Sequence, residues 1–135
     1  MTKAKKILIV DDEPLILRSM QKTLLRAGYQ VVPASTCSLG LDSFKAGLDS
    51  DEPFDMALVD LNMPDFEGDE ASGAGLELIS RIQELQPGFP MIVLSAYDEV
   101  AKVKEAITRG ARNYCVKGRE QTLLDQIHTI FKEIE

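Results

Sequence analysis

Short runs of consecutive apolar residues constrain the fold of this 135-residue chain more than any other feature of its sequence. Polar residues do not alternate with apolar ones in these runs, so each run is typical of a β-strand buried on both faces. The four clearest runs are residues 7–10, 56–59, 91–94 and 114–116. A shorter run at 30–32 stops at Pro33, which predicts an edge strand, where a missing N–H is tolerated.

Amphipathic helical patterns fill the gaps between these runs. Pro14 suits the first position of a helix, and Gly28 is a good stop for it. The further predicted helices span residues 36–48, 75–86, 98–109 and 120–134. Strands that alternate with helices indicate a doubly wound α/β fold, in which helices cover both faces of a parallel sheet. With no repeat or linker in the sequence, we predict a single domain over residues 1–135.

The distribution of charge indicates which partners the chain suits. The net charge is −7, and residues 46–80 hold ten acids and no Lys or Arg, whereas the rest of the chain has 12 acids and 15 bases. Contact with nucleic-acid phosphates needs clustered basic residues, so we expect no direct nucleic-acid binding. A local acidic field favours a cation or a basic partner instead.

The sequence also gives expectations about the compartment. It has neither an apolar stretch long enough to span a membrane nor the pattern of a signal peptide. Cys37 and Cys115 lie far apart and are expected to be buried thiols in a reducing compartment, and His128 to be a partly exposed structural residue. We therefore expect a cytoplasmic protein with no membrane contact.

Polar residues follow four of the five predicted strands, at the edge where open parallel sheets bind ligands. They are Asp11 and Asp12 after the first strand, Asp60 after the third, Ser95 after the fourth and Lys117 after the fifth. Crowded carboxylates repel unless a cation joins them, and oxygen ligands of this kind suit Mg²⁺. A lysine and a serine can hold phosphoryl oxygens, and an aspartate can form an aspartyl phosphate. The pattern therefore predicts phosphoryl transfer assisted by a magnesium ion.

These residues resemble those of a response-regulator receiver domain, the phosphoacceptor part of two-component signalling. The resemblance covers nearly the whole chain. It is carried by ILIVDDEP at 7–14, DLNMP at 60–64, LSA at 94–96, GA at 110–111 and YCVK at 114–117. It implies a flavodoxin-like (βα)₅ fold with the strand order 2-1-3-4-5. A member of this family is a known example of that strand order.

The resemblance also implies roles for individual residues. Asp60 would accept a phosphoryl group from a phosphohistidine, and Ser95 and Lys117 would hold its oxygens. Asp12 would bind Mg²⁺ directly together with Asp60 and the Asn62 carbonyl, with Asp11 as a second or water-bridged companion. Tyr114 would be an aromatic switch that turns inward as Ser95 moves toward the phosphate.

The implied partners are a histidine kinase or phosphotransfer protein and an output domain or target protein. The target would read the face formed by the fourth helix, fifth strand and fifth helix. The chain would act as a monomer or as a phosphorylation-dependent dimer, and it would assist only its own phosphorylation and dephosphorylation rather than turn over as an enzyme.

Two departures from the family pattern stand out. Gly118 occupies the position that follows the lysine, where the family has proline, so we predict a trans peptide bond there. The segment 65–75 is seven residues longer than usual, and either Gly68 or Gly75 can serve as the family glycine. We expect a mobile loop beside the phosphorylation site, with tuning of partner choice and a tolerated insertion without a role as open alternatives.

Two other functions remain to be weighed. A phosphohydrolase that turns over through an aspartyl phosphate is disfavoured because Asp11 and Asp12 are adjacent and no insertion is large enough for a cap. A receiver-like module that signals without phosphorylation has only Gly118 and the long loop in its favour.

Overall fold

The computed structural model describes residues 4–63, 73–96 and 99–134. Strands and helices alternate along the chain, as predicted. The strands are β1 (Lys6–Val10), β2 (Gln30–Ala34), β3 (Met56–Asp60), β4 (Met91–Ser95) and β5 (Asn113–Val116). The helices are α1 (Pro14–Arg26), α2 (Cys37–Leu48), α3 (Ala74–Leu85), α4 (Val100–Arg109) and α5 (Glu120–Glu133).

The five strands form one parallel sheet in the order β2-β1-β3-β4-β5, which confirms the doubly wound, flavodoxin-like fold. Successive residues of a strand face opposite sides of the sheet. In β1, Leu8 and Val10 pack in the core layer that contains residues of α2, α3 and α4, whereas Ile7 and Ile9 pack in the layer that contains residues of α1 and α5. Both sides of the apolar runs are therefore buried, as their lack of alternation predicts.

The strand boundaries agree with the predicted runs to within one residue, except at the end of β2. The strand β2 does not stop at Pro33 but continues to Ala34, and Pro33 pairs in register with Ile9. The strand lies at the edge of the sheet. An edge strand needs backbone hydrogen bonds on one side only, so a proline can be accommodated within it.

Several residues outside the strand ends meet their expectations. Cys37 and Cys115 are both buried and unpaired. His128 is exposed, and its Nδ1 lies 3.1 Å from the hydroxyl oxygen of Tyr29. Among the residues that the structure describes, no helix combines the length and apolar character that a membrane span requires.

Most of the expected loop at 65–75 lies outside the described residues, as does Gly68. From residue 73 onward the chain is described, and α3 begins at Ala74. The expected mobility of the loop and its role therefore stay predictions.

Candidate functional site

The carboxyl ends of the strands bring the predicted polar residues to one edge of the sheet. Asp60 and Ser95 are the last residues of β3 and β4, and Asp11 and Lys117 directly follow β1 and β5. Within the described residues, the buried polar or charged side chains are Asp11, Asp60 and Ser95, and all three lie at this edge. Burial of polar groups is costly without partners, so their concentration in one place indicates a functional site.

Lys117 holds the acids of this site together. Its Nζ donates hydrogen bonds to Asp60 Oδ2 at 2.9 Å and to Glu13 Oε1 at 2.7 Å, and it lies 3.6 Å from Asp11 Oδ2. The side chain is 14% exposed, so the ammonium group is largely removed from water. The sequence placed Lys117 correctly but assigned no role to Glu13, which is its most exposed partner.

The two buried aspartates also accept hydrogen bonds from the backbone of the loops that follow them. Glu13 N–H donates to Asp11 Oδ1 at 2.9 Å, and Asn62 N–H donates to Asp60 Oδ1 at 3.0 Å. Both are short-range turns in which an aspartate side chain binds the amide two residues later. They fix the orientation of each carboxylate at the strand end.

Burial sets the direction of the pKa shift for the two aspartates, and hydrogen bonds set it for Lys117. Loss of water raises the pKa of Asp11 to about 6, although its hydrogen bond from the Glu13 amide opposes the shift. The pKa of Asp60 is likewise raised by burial, and its hydrogen bonds from Lys117 and from Asn62 work against the rise. Burial by itself would lower the pKa of Lys117, but hydrogen bonds to Glu13 and Asp60 outweigh it and raise the pKa.

The carboxylates form a donor set that fits a divalent cation. Asp11, Asp12, Glu13 and Asp60 each offer an oxygen atom, and these atoms all lie within 4.8 Å of one another. Asp11 Oδ2 is fully buried and accepts no hydrogen bond from the described residues. Hard oxygen donors in this number, one of them without a hydrogen bond, suit Mg²⁺ or Ca²⁺.

The cluster includes three of the four predicted metal ligands, Asp11, Asp12 and Asp60, and adds Glu13. The fourth, Asn62, was predicted to contribute its backbone carbonyl. Its backbone amide donates to Asp60, and its side-chain amide donates to Glu99.

A second charged cluster, which the sequence analysis missed, lies beside Asn62. The Glu99 carboxylate accepts hydrogen bonds from the Asn62 side-chain amide at 2.7 Å and from the Ala96 backbone N–H at 2.6 Å. Lys102 Nζ donates to Asn62 Oδ1 at 2.9 Å and lies 3.4 Å from Glu99 Oε2. We call Asn62, Glu99 and Lys102 the Glu99 cluster. A charged pair at i and i+3 near a helix start was its only signal in the sequence, and such pairs are common on exposed helices.

The predicted switch residues lie around one cavity. Ser95 is buried, whereas the Tyr114 side chain is 47% exposed. Both line a cavity of about 690 Å³ together with Val100 and Val103 of α4. The tyrosine points outward in this structure and has space beside it.

Two glycines shape the backbone around Asp60 and Lys117. A Cβ at Gly75 would lie 2.4 Å from the carbonyl oxygen of Asp60, so only glycine allows α3 to approach this close to β3. The packing therefore requires glycine at position 75, while Gly68, the other candidate for the family glycine, lies outside the described residues. Gly118 has φ +90° and follows Lys117 by a trans bond, which confirms the prediction for that bond.

Comparison with known proteins identifies relatives of the chain. A family model described as the response regulator receiver domain matches residues 7–128. A rice two-component response regulator, ORR24, is 32% identical over 129 residues, which are 96% of this chain but only 18% of the rice protein. The chain therefore spans less than a fifth of that relative.

Two solved structures are similar in fold. A CheY-like response regulator receiver domain protein from Methanospirillum hungatei has 32% identity and a TM-score of 0.81, over 96% of this chain and 95% of that one. A response regulator from Burkholderia pseudomallei, described with a phosphorylated aspartic acid, calcium ion and citrate, has 29% identity and a TM-score of 0.70, over 89% of this chain and 64% of that one.

Proposed function

The chain belongs to the response regulator receiver domain family, and on that basis we propose that Asp60 is its phosphoacceptor. A receiver domain of a two-component response regulator is a phosphoacceptor rather than an enzyme, and it implies a kinase partner. The observation that carries the proposal is the position of Asp60, fully buried within the acidic cluster and 2.9 Å from Lys117 Nζ. The phosphorylated aspartic acid of the Burkholderia relative supports it.

Phosphoryl transfer needs the nucleophile to be held in place and the charge to be neutralised. Each Asp60 oxygen accepts one hydrogen bond, from Asn62 N–H or Lys117, and keeps a further lone pair. We propose that one oxygen attacks the phosphorus atom of a phosphohistidine. The new O–P bond forms as the N–P bond breaks, and the histidine leaves as neutral imidazole when its other ring nitrogen carries the proton.

Two further residues of the site would bind the transferred group. Lys117 provides an ammonium charge at the site, and the buried Ser95 would offer a hydroxyl to another phosphoryl oxygen. Lys117 already donates a hydrogen bond to Asp60. Its ammonium group can therefore change its acceptor from a carboxylate oxygen to a phosphoryl oxygen without first moving in from solvent.

We propose Mg²⁺ as the cation, held by Asp12, Asp60 and the Asn62 carbonyl with Asp11 as companion. When bound it would neutralise negative charge at the acceptor and orient the phosphoryl oxygens. The described cluster adds Glu13 as a further carboxylate at this position. In the absence of a cation, like charges at Asp11 and Asp60 raise each other's proton affinity and oppose a phosphodonor.

We propose that phosphorylation is read on the face formed by α4, β5 and α5. Ser95 and Tyr114 border the same cavity at this face, so movement of Ser95 toward the phosphate would open space for the exposed tyrosine ring. A contact that exists only in the phosphorylated state shifts the equilibrium between conformations. The reader would be an output domain or a separate target protein.

The phosphodonor would be a histidine kinase or a phosphotransfer protein. We further propose that residues 1–135 form one receiver domain, which acts as a monomer or as a phosphorylation-dependent dimer. Because the chain matches only 18% of the rice relative, the output activity of that longer protein is not transferred to this chain.

Measurement of intact mass after incubation with acetyl phosphate and Mg²⁺ tests the proposal. We expect the wild type to gain one phosphoryl group, and Asp60→Asn or excess chelator to abolish the gain. Asp55→Asn is the matched control, because Asp55 lies just before β3 and bonds Lys6 N–H, far from the acidic cluster along the strand. Equal phosphorylation of Asp60→Asn would overturn the acceptor, and undiminished phosphorylation in chelator would overturn the metal.

A further inference from the structure

The Glu99 carboxylate occupies a position where three donors converge. It accepts a hydrogen bond from the Ala96 backbone N–H and another from the Asn62 side chain, and Lys102 lies at ion-pair distance. The Glu99 side chain is only 10% exposed, so this contact is well covered. Backbone N–H groups, an amide and an ammonium are also the groups that proteins use to bind phosphoryl oxygens.

Two of the donors around Glu99, Asn62 and Ala96, belong to residues that are linked by hydrogen bonds to the proposed site. The Asn62 backbone amide binds Asp60 Oδ1 at 3.0 Å, while the Asn62 side chain binds Glu99. Ala96 directly follows the buried Ser95, whose carbonyl oxygen accepts a hydrogen bond from Lys117 N–H. Asn62 therefore links Glu99 to Asp60, and the peptide unit between Ser95 and Ala96 links Glu99 to the backbone of Lys117.

We propose that Glu99 is an internal competitor of the phosphoryl group, a positioning residue that destabilises phosphorylated Asp60. This inference rests on the proposed function of Asp60. A phosphoryl group adds negative charge close to Asn62 and Ala96. The Glu99 carboxylate holds the donors that could otherwise turn toward that charge, and it repels the charge itself. The unphosphorylated state keeps the contacts of Glu99, whereas the phosphorylated state has to break them. This difference in contacts disfavours the phosphorylated state.

The alternative is that Glu99 only stabilises the start of α4. A carboxylate near a helix N-terminus is favourable, and the bond from the Ala96 N–H to Glu99 holds the chain that enters α4. That role predicts a change in thermal stability when Glu99 is replaced, but no change in affinity for a phosphoryl mimic. The two roles are therefore separable by experiment.

Beryllofluoride, which mimics a phosphoryl group on a carboxylate, is the probe in the presence of saturating Mg²⁺. Isothermal titration of the wild type and Glu99→Gln should show tighter binding by the variant, about fivefold, at the lower end of typical coupling between sites. Glu105→Gln is the matched control, because Glu105 lies on α4, which Glu99 directly precedes, and pairs with Arg109 away from Asn62. It removes the same charge and should bind like the wild type.

A second variant separates the contact from the general effect of charge. Glu99→Asp keeps the charge at the start of α4 but shortens the reach to Ala96 and Asn62, so we expect it also to bind beryllofluoride more tightly. The NMR signal of the Ala96 amide should move upfield in Glu99→Asp before any ligand is added. The rate of dephosphorylation should fall in both variants.

The outcomes distinguish this inference from the proposed function. If the wild type binds no beryllofluoride, the proposed function and the competitor role both fail. If the wild type binds it but both Glu99 variants match Glu105→Gln, only the competitor role is overturned. Weaker binding by Glu99→Gln would show that Glu99 supports the phosphorylated state, which also overturns it.

Discussion

Two lysines lie on either side of Asp60, and their environments differ. Lys117 pairs with Asp60 and Glu13 and lies near Asp11, with a side chain 14% exposed and both aspartates fully buried. Lys102 contacts Asn62 and Glu99, with a side chain 35% exposed. The first group is a buried cluster with more acids than bases, and the second is a partly exposed pair with an amide.

The difference indicates which side of the site resists change and which side can rearrange. In the buried cluster, loss of a partner leaves a charge that water cannot solvate. Separating the paired groups therefore costs much free energy, and this cost keeps them in place. In the Glu99 cluster, Glu99 is covered but Lys102 is 35% exposed, so the contacts of Lys102 exchange with water at small energy. We infer that the Lys117 side fixes the chemistry, while the Glu99 side is free to respond to it.

Exchange of Lys117 for methionine has the largest expected effect, and the same exchange at Lys102 is its comparison. Lys117→Met should lower the free energy of unfolding by about 3–5 kcal/mol at pH 7 in chelator, because buried Asp60 and Asp11 lose their counter-charge. Lys102→Met should lower it by less than about 1 kcal/mol. Urea denaturation of the two variants measures both. Similar losses for the two would show that the buried and exposed sides do not differ as described.

Replacement of the buried Asp11 by a neutral residue should raise the free energy of unfolding, whereas Lys117→Met should lower it. Because burial raises the pKa of Asp11 from 3.8 to about 6, the folded state binds its proton more tightly than the unfolded state. The wild type therefore loses stability as the pH rises from about 4 to about 6, and the loss stays at higher pH. Asp11→Asn keeps an acceptor for the Glu13 amide and should be more stable by about 1–3 kcal/mol at pH 7 without a cation.

Thermal unfolding of Asp11→Asn in chelator between pH 4 and pH 7 checks this prediction. The gain should be near zero at the acid end, where the carboxyl group is protonated in both states. Addition of Mg²⁺ should reduce the gain, because the cation stabilises only the chain that binds it well. A gain that does not depend on pH would contradict the assignment to the Asp11 charge.

The last prediction concerns the backbone that carries Lys117. A Cβ at Gly118 has room, since nothing lies within 4 Å of that position. The backbone at φ +90° is nevertheless one that residues with a side chain rarely adopt. Gly118→Ala should lower stability by about 1–2 kcal/mol. Gly118→Pro should lower it further, because proline fixes φ near −65°. Chemical denaturation ranks the two, and a stabilising Gly118→Pro would show that the turn readily adopts the conformation that proline requires.

Residues at strand ends could be predicted from the sequence, and contacts between long side chains could not. Asp11, Asp60, Ser95 and Lys117 follow apolar runs, so the parallel sheet alone places them at one edge. The strand order and individual roles came with the family resemblance, and the order is confirmed.

Other features of the site have no periodic signal. Glu13 and Glu99 are charged residues at helix starts, where such residues occur often without a special role. Their partners, Lys117 and Asn62, are 104 and 37 residues away. Whether a long side chain reaches such a partner depends on its rotamer and on the loop path, which no local pattern specifies. The edge strand shows the same limit, since Pro33 ends a run in the sequence but not in the sheet.

The distance along the chain between Lys117 and its partners has a consequence for protein synthesis. Lys117 lies 104 residues after Glu13 and 57 after Asp60. A ribosome releases the N-terminal part first, and long-range pairing waits for the later strands. A nascent chain that ends before β5 therefore carries the acids without their ammonium group. The buried Asp60 therefore gains its counter-charge only once the last strand has docked.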